Sequence, residues 1–201
     1  METVRAFVAI PLPAPLLDAL HALQRRLERR MPPDSVRWVR AEGIHLTLKF
    51  LGDVPARQLD AIRAALAAAA REHMGFVCGV EGLGCFPNPH RPRVVWVGLH
   101  EPSGRLAALH GAVERALAEL GYPPEGRPFT PHLTLGRVRD RLPAADVAAI
   151  GAAVGATPVG RLGELEAQHL DLMQSVLRPD GARYTTLASF TLQGLGGPSP
   201  V

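Results

Sequence analysis

The stretch His45-Leu46-Thr47-Leu48 returns letter for letter as His132-Leu133-Thr134-Leu135, 87 residues further along the chain. Each copy falls in a run that reads as a β-strand, from Ile44 to Leu51 and from His132 to Val138. Side chains alternate between faces along a strand, so His and Thr of each copy point one way and the two leucines point the other way, into a core. One His-x-Thr on a strand is commonly just a half-buried polar pair. Two identical copies in strand context, each preceded by Pro or Gly, are poorly explained by coincidence. If the halves are related by a pseudo-twofold axis, the two His/Thr pairs face each other across a shared groove.

Working outward, the chain alternates strands and helices. Val4 to Ile10 alternates in a β-like way, and Pro11, Pro13 and Pro15 then break it and open a helix striped by Leu16, Leu20, Leu23 and Leu27. Val36 to Val39 is the next strand, and an Ala-rich helix follows the first motif from about Pro55 to His73. Strands over Phe76 to Phe86 and Val94 to Leu99 flank the loop Pro87 to Pro92. The second half repeats the plan: a helix striped by Leu106, Leu109, Val113, Leu117 and Leu120 stops near Gly121, the second motif strand follows, and a short helix runs from about Ala144 to Ala153. The chain closes with strands around Leu165 to Leu177 and Tyr184 to Leu192 on either side of the turn Arg178-Pro179-Asp180-Gly181. Interleaved hairpins and helices of this kind predict an α+β protein of two similar lobes.

Bulk properties narrow the function classes. The 201 residues fit one domain spanning 1–201, and 47% hydrophobic with 20% charged residues is the composition of a folded chain, with a flexible tail expected from Gly194 to Val201. No apolar stretch is long enough to cross a bilayer, and Met1-Glu2-Thr3-Val4-Arg5 lacks the basic-then-apolar order of a signal peptide, so no membrane partner and a cytoplasmic location are expected. Cys78 and Cys85 are too far apart for C-x-x-C and read as reduced apolar fillers. A net charge of +3 and a pI near 9.4 mildly favour an anionic partner. Lys49 is the only lysine, so the basic groups are arginines, the better fork for phosphate oxygens, although a coding bias that favours Arg along with Ala, Gly and Pro is the better account of this. The histidines outside the motifs, His21, His73, His90, His100, His110 and His169, show no metal-site spacing, and Gly79, Gly82 and Gly84 are not followed by the Lys-Ser/Thr of a nucleotide-binding loop. No metal and no cofactor are expected.

Two imidazoles facing one another suit the opening of a strained cyclic phosphate. One neutral ring takes a proton from water while the other, charged, gives a proton to the departing ribose oxygen. The hydroxyls of Thr47 and Thr134 can donate to the non-bridging oxygens, and Arg137, five residues after His132, can offset charge on the transition state.

The segment Trp38-Val39-Arg40-Ala41-Glu42-Gly43-Ile44-His45-Leu46-Thr47-Leu48-Lys49-Phe50-Leu51-Gly52 resembles the first motif region of the two-histidine phosphoesterases, and in particular the RNA 2′,3′-cyclic phosphodiesterases, also called 2′-5′ RNA ligases. Arg5 to Ile10 is similar to the first strand of that family, Phe129 to Arg137 to its second motif, and Gln174 to Leu177 followed by Gly181 to Tyr184 to its terminal hairpin. The resemblance implies a bilobal fold, with two pseudo-symmetric lobes of antiparallel sheet and outer helices around a central cleft. It also implies cofactor-free hydrolysis of RNA 2′,3′-cyclic ends to 2′-phosphomonoesters, with 2′-5′ ligation as the reverse reaction. By motif position His45 is the proton donor to the 3′-oxygen and His132 the proton acceptor from water. Gly136 departs from the Ala often found there. The expected partner is an RNA or oligonucleotide with a 2′,3′-cyclic phosphate end, met by a monomer.

Two other readings stand beside it. One is an RNA- or nucleotide-binding module that has lost turnover, against which stand the intact His45, Thr47, His132 and Thr134. The other is a sister phosphoesterase acting on small cyclic nucleotides or 2′-5′ linkages. Arg25, Arg26, Arg29, Arg30, Arg37 and Arg40 form a basic region that is either a solvated helix face or a guide for an RNA backbone. Phe50, Trp38 and Phe129 are near enough to the motifs to stack a base, but the parity of a regular strand sends Phe50 to the face opposite His45.

Overall fold

The alternation that opens the chain becomes β1 (Thr3–Pro11), which sends Ala6, Val8 and Ile10 into the main core and leaves Arg5, Phe7 and Ala9 on the opposite face. In the computed structural model, which describes residues 2–178 and 181–195, it is followed by α1 (Ala14–Glu28), β2 (Val36–Trp38), β3 (His45–Pro55), α2 (Leu59–Arg71), β4 (Met74–Phe86) and β5 (Val94–His100). Then come α3 (Arg105–Ala118), β6 (His132–Val138), α4 (Ala144–Gly155), β7 (Gly163–Ala167), β8 (His169–Arg178), β9 (Gly181–Thr191) and β10 (Gln193–Leu195). The fold is α+β, as expected.

The strands run in the order β10-β4-β5-β6-β3-β1-β8-β9, with β2 on β6 and β7 on β4. All these pairings are antiparallel except the short β10–β4 contact. One lobe is β3-β1-β8-β9 and the other is β6-β5-β4-β7, and they meet where Leu46 pairs with Leu133. Halves of the chain and lobes of the fold therefore do not coincide. β4 and β5 leave the first half to join β6, and the C-terminal hairpin returns to β1 through Ala6–Gln174 and Phe7–Met173.

Helix stripes cover the core face. Leu16, Leu20, Leu23 and Leu27 of α1, Ile62 and Leu66 of α2, Leu106, Leu109, Val113 and Leu117 of α3, and Ile150 of α4 join one buried cluster with Leu46, Leu48, Leu133 and Leu135 of the motifs. Burying a leucine or isoleucine contributes about 1.5–3 kcal/mol, so the four motif leucines anchor both motif strands.

Three local features depart from the sequence reading. Ala56–Gln58 form a 3-10 turn, so α2 begins at Leu59 rather than near Pro55. The run read as one strand over Leu165–Leu177 breaks at Gln168, where buried positions slip from Leu165 and Ala167 to Leu170 and Leu172, and the two pieces serve different lobes. In the basic region, Arg26 donates to the Pro158 carbonyl at 2.9 Å and Arg30 to the Thr157 hydroxyl at 3.2 Å, so these two tie α1 and the turn that follows it to the segment after α4. The expected turn includes Pro179 and Asp180, which lie outside the described residues, as do residues 196–201 of the expected tail; Gly194 and Leu195 belong to β10.

Candidate active site

The motif strands share a defect in the same place. Along β3, Thr47 pairs with Ala9 and Lys49 with Val8, which leaves Leu48 as an extra residue. Along β6, Thr134 pairs with Trp96 and Gly136 with Val95, leaving Leu135 extra. Such bulges reset side-chain parity. Leu48 and Lys49 are consequently both buried, and Phe50 turns to the face of His45 and Thr47, 59% exposed. The regular-strand expectation for Phe50 is thereby corrected. By the same shift Arg137, the counterpart of Phe50, joins the face of His132 and Thr134.

The bulge on β6 is braced from behind. The Leu135 carbonyl accepts from the Val39 N–H at 2.8 Å and from Gln24 Nε2 at 2.8 Å, and Gln24 also donates to the Val39 carbonyl at 2.7 Å. Gln24 is buried among the leucines of α1, and a polar residue on that apolar stripe was the sequence signal for it. Gly136 leaves room for β2: a Cβ there would stand 2.6 Å from Val36 Cγ1 and 2.9 Å from Trp38 Cε3, which explains why alanine is absent.

A cleft of about 490 Å³ opens on this face, lined by Phe7, His45, Thr47 and Phe50 of the first lobe, by Thr134 and Arg137 of the second, and by Arg5, Ser175 and Tyr184 among others. Continuing the antiparallel register beyond Leu46–Leu133 sets His45 opposite Thr134 and Thr47 opposite His132. Among the described residues, the Thr47 and Thr134 hydroxyls and the Arg137 guanidinium have no hydrogen-bond partner within the protein. They are free to receive an anion. Among the described residues the lining contains no carboxylate.

The two imidazoles are held alike. His132 Nδ1 lies 2.7 Å from the Thr130 carbonyl, and His45 is hydrogen-bonded to the carbonyl of Gly43, so each ring is fixed by the residue two positions before it. A carbonyl only accepts, so Nδ1 of His132 carries a proton and Nε2 of the neutral ring keeps its lone pair. His45 stacks on Phe7 (4.7 Å between centroids) and meets the edge of Tyr184 (5.1 Å). His132 meets Phe86 edge-on at 4.9 Å, with Trp96 at 6.4 Å; it shares the face of Thr134 but does not itself line the cleft. Burial pushes the His45 pKa down from 6.5 to about 4, against the Gly43 bond, which acts upward.

Other expectations resolve into structure. Phe129 stacks on His110 at 3.8 Å, and Trp38 packs against the core, so neither lines the cleft. Lys49 is buried beneath the motif, where it donates to Glu114 at 2.7 Å and to the Pro123 carbonyl at 2.9 Å. Gly82, at φ +74°, sits at a bulge of the β4–β5 pair. Both cysteines are free and buried; burial, aided by Glu101, raises the Cys78 thiol to about 12. Among the described residues there is no group of three or more His, Cys, Asp or Glu able to hold a metal, and no helix is long and apolar enough to cross a membrane. Phe7, Tyr184, Arg5 and Ser175 were missed as cleft residues because strand pairing brings them there.

Comparison with known proteins agrees with this geometry. The model of the LigT-like phosphoesterases matches residues 10–96 and again 97–184, one copy around each motif. An RNA 2′,3′-cyclic phosphodiesterase of Methanothermobacter thermautotrophicus is 32% identical over 94% of this chain and 99% of its own, and one of Aeropyrum pernix is 36% identical over 74% of this chain and 82% of its own. Escherichia coli LigT, solved with 3′-AMP, superposes with a TM-score of 0.75 at 28% identity, covering 95% of this chain and 99% of that one. With two matched copies, each bearing a pinned histidine on a bulged strand, this chain belongs to the LigT-like phosphoesterases.

Proposed function

We propose that this protein hydrolyses RNA 2′,3′-cyclic phosphate ends to 2′-phosphomonoesters, with His132 as general base and His45 as general acid. The observation that carries the reading is the matched pinning of the two imidazoles on adjoining antiparallel strands. Water attacks phosphorus as Nε2 of His132 takes its proton. The bond from phosphorus to the 3′-oxygen breaks, and His45 supplies the proton that makes the 3′-hydroxyl. Thr47 and Thr134 donate to the non-bridging oxygens, and Arg137 offsets the charge that develops there. Phe50 offers an exposed ring on which the terminal base can stack. Curated relatives named RNA 2′,3′-cyclic phosphodiesterase support the reaction class.

With a 5′-hydroxyl in place of water, the same proton transfers form a 2′-5′ linkage. The reading takes residues 1–201 as one domain that acts as a cytoplasmic monomer without metal or cofactor. The test is incubation of EDTA-treated protein with oligoribonucleotides ending in 2′,3′-cyclic phosphate. Full activity and a 2′-phosphate product are expected. Loss of activity restored by a divalent ion, or a 3′-phosphate product, overturns the proposal.

A further inference from the structure

The cleft extends past the histidines. On β1, Ala6, Val8 and Ile10 belong to the core, so Arg5 shares the cleft face with Phe7. The side chain is exposed, and among the described residues it has no hydrogen-bond or ion-pair partner. Continuing the β1–β8 register one step beyond Ala6–Gln174 sets Ser175 beside it, and both residues line the cleft. The Ser175 hydroxyl is likewise without a partner. Directly across on β3 stands the exposed Asp53, which makes no ion pair with Arg5 and is not part of the lining.

The cleft thus holds two unpaired guanidiniums, Arg137 at the catalytic pair and Arg5 at the far end, with the rings of Phe7, Phe50 and Tyr184 between them. Arg5 is four residues along β1 from Ala9, the partner of Thr47, which is roughly 13 Å of strand. Successive phosphates along an RNA strand stand closer together than that, and the long, unpaired Arg5 side chain can lean back along the cleft to meet the phosphate on the far side of one nucleoside. A mononucleoside cyclic phosphate engages only the Arg137 end. Resting on the phosphodiesterase reading above, we propose that Arg5 and Ser175 form a second phosphate subsite, which takes the phosphate on the 5′ side of the terminal nucleoside and makes the cleft select an RNA strand over a lone cyclic nucleotide. Guanidinium and hydroxyl both donate, as an anionic oxygen requires.

The experiment compares kcat/KM for adenosine 2′,3′-cyclic phosphate, its 5′-phosphorylated form, the dinucleotide ending in the same cyclic phosphate, and that dinucleotide with a neutral methylphosphonate linkage. Wild-type protein is expected to prefer the charged dinucleotide over the mononucleoside by about tenfold or more, in line with a charge-assisted hydrogen bond. In Arg5→Gln that preference collapses toward one, Arg5→Lys keeps part of it, and Asp53→Asn increases it. The methylphosphonate should erase the difference between Arg5→Gln and wild type. Equal preference from the 5′-phosphorylated mononucleoside assigns the subsite to the phosphate itself; preference only from the dinucleotide assigns it to the phosphodiester. A wild-type preference that survives Arg5→Gln, or an equal loss on charged and neutral dinucleotides, overturns the proposal. If wild-type protein opens none of the four, the phosphodiesterase reading fails, and equilibrium binding of the charged and neutral dinucleotide 2′-phosphates to wild type and Arg5→Gln still decides the subsite.

Discussion

Binding of a phosphate ligand should charge His45. In the empty cleft burial holds its pKa near 4, down from 6.5, and the Gly43 carbonyl recovers only part of that loss. A ring with this pKa is neutral at pH 7 and cannot serve as an acid. Raising it to 7 takes about three pH units, or about 4 kcal/mol. A single phosphate charge roughly 4 Å away, at an effective dielectric near 20, supplies about 4 kcal/mol. The substrate's own charge is therefore enough to protonate its acid. Saturating the cleft at pH 6 with a nucleoside 2′-methylphosphate, a diester whose single charge does not titrate in this range, should take up close to one proton per complex. Calorimetry in buffers of different ionisation enthalpy reads that uptake, and NMR titration of labelled histidine rings with and without ligand assigns it. A His45 that still titrates near 4 in the complex, or near 6.5 in the empty protein, refutes the reasoning. The same shift bears on stability. The folded pKa lies below the unfolded one, so stability is fully present above about 6.5 and is lost as pH falls through about 4, by about 3 kcal/mol.

His45→Ala and His132→Ala should each lower kcat by about 10²-fold or more. A substrate with sulfur as the 3′ leaving atom should rescue His45→Ala far more than His132→Ala, because only the former lacks a proton source; equal rescue shows that the two roles are exchanged. Lys49→Met leaves Glu114 buried with only His110, at 3.7 Å, to compensate it, and should cost about 3 kcal/mol in denaturant unfolding, with Lys49→Met/Glu114→Leu recovering most of the loss. A single variant within 1 kcal/mol of wild type contradicts the buried ion pair as a structural tie.

The amino-acid sequence by itself determined the parts that depend on local pattern. Period-two alternation with a repeated tetrapeptide placed His45, Thr47, His132 and Thr134 on strands with their leucines inward, and β6 spans the residues expected of it, His132–Val138. The leucine stripes located α1 and α3 to within a few residues. Alternation cannot register an extra residue in a pair of strands, because a bulge belongs to the pairing and not to one strand. Hence Phe50 was sent to the wrong face, and its equivalence with Arg137 emerged only from the Val8/Ala9 and Val95/Trp96 register shifts. Nor does local pattern say which strands pair. That β8 and β9 cross to the first lobe, carrying Ser175 and Tyr184 to the cleft beside Arg5 and His45, was decided by the tertiary structure, through hydrogen bonds between segments about 170 residues apart that no short window of sequence contains.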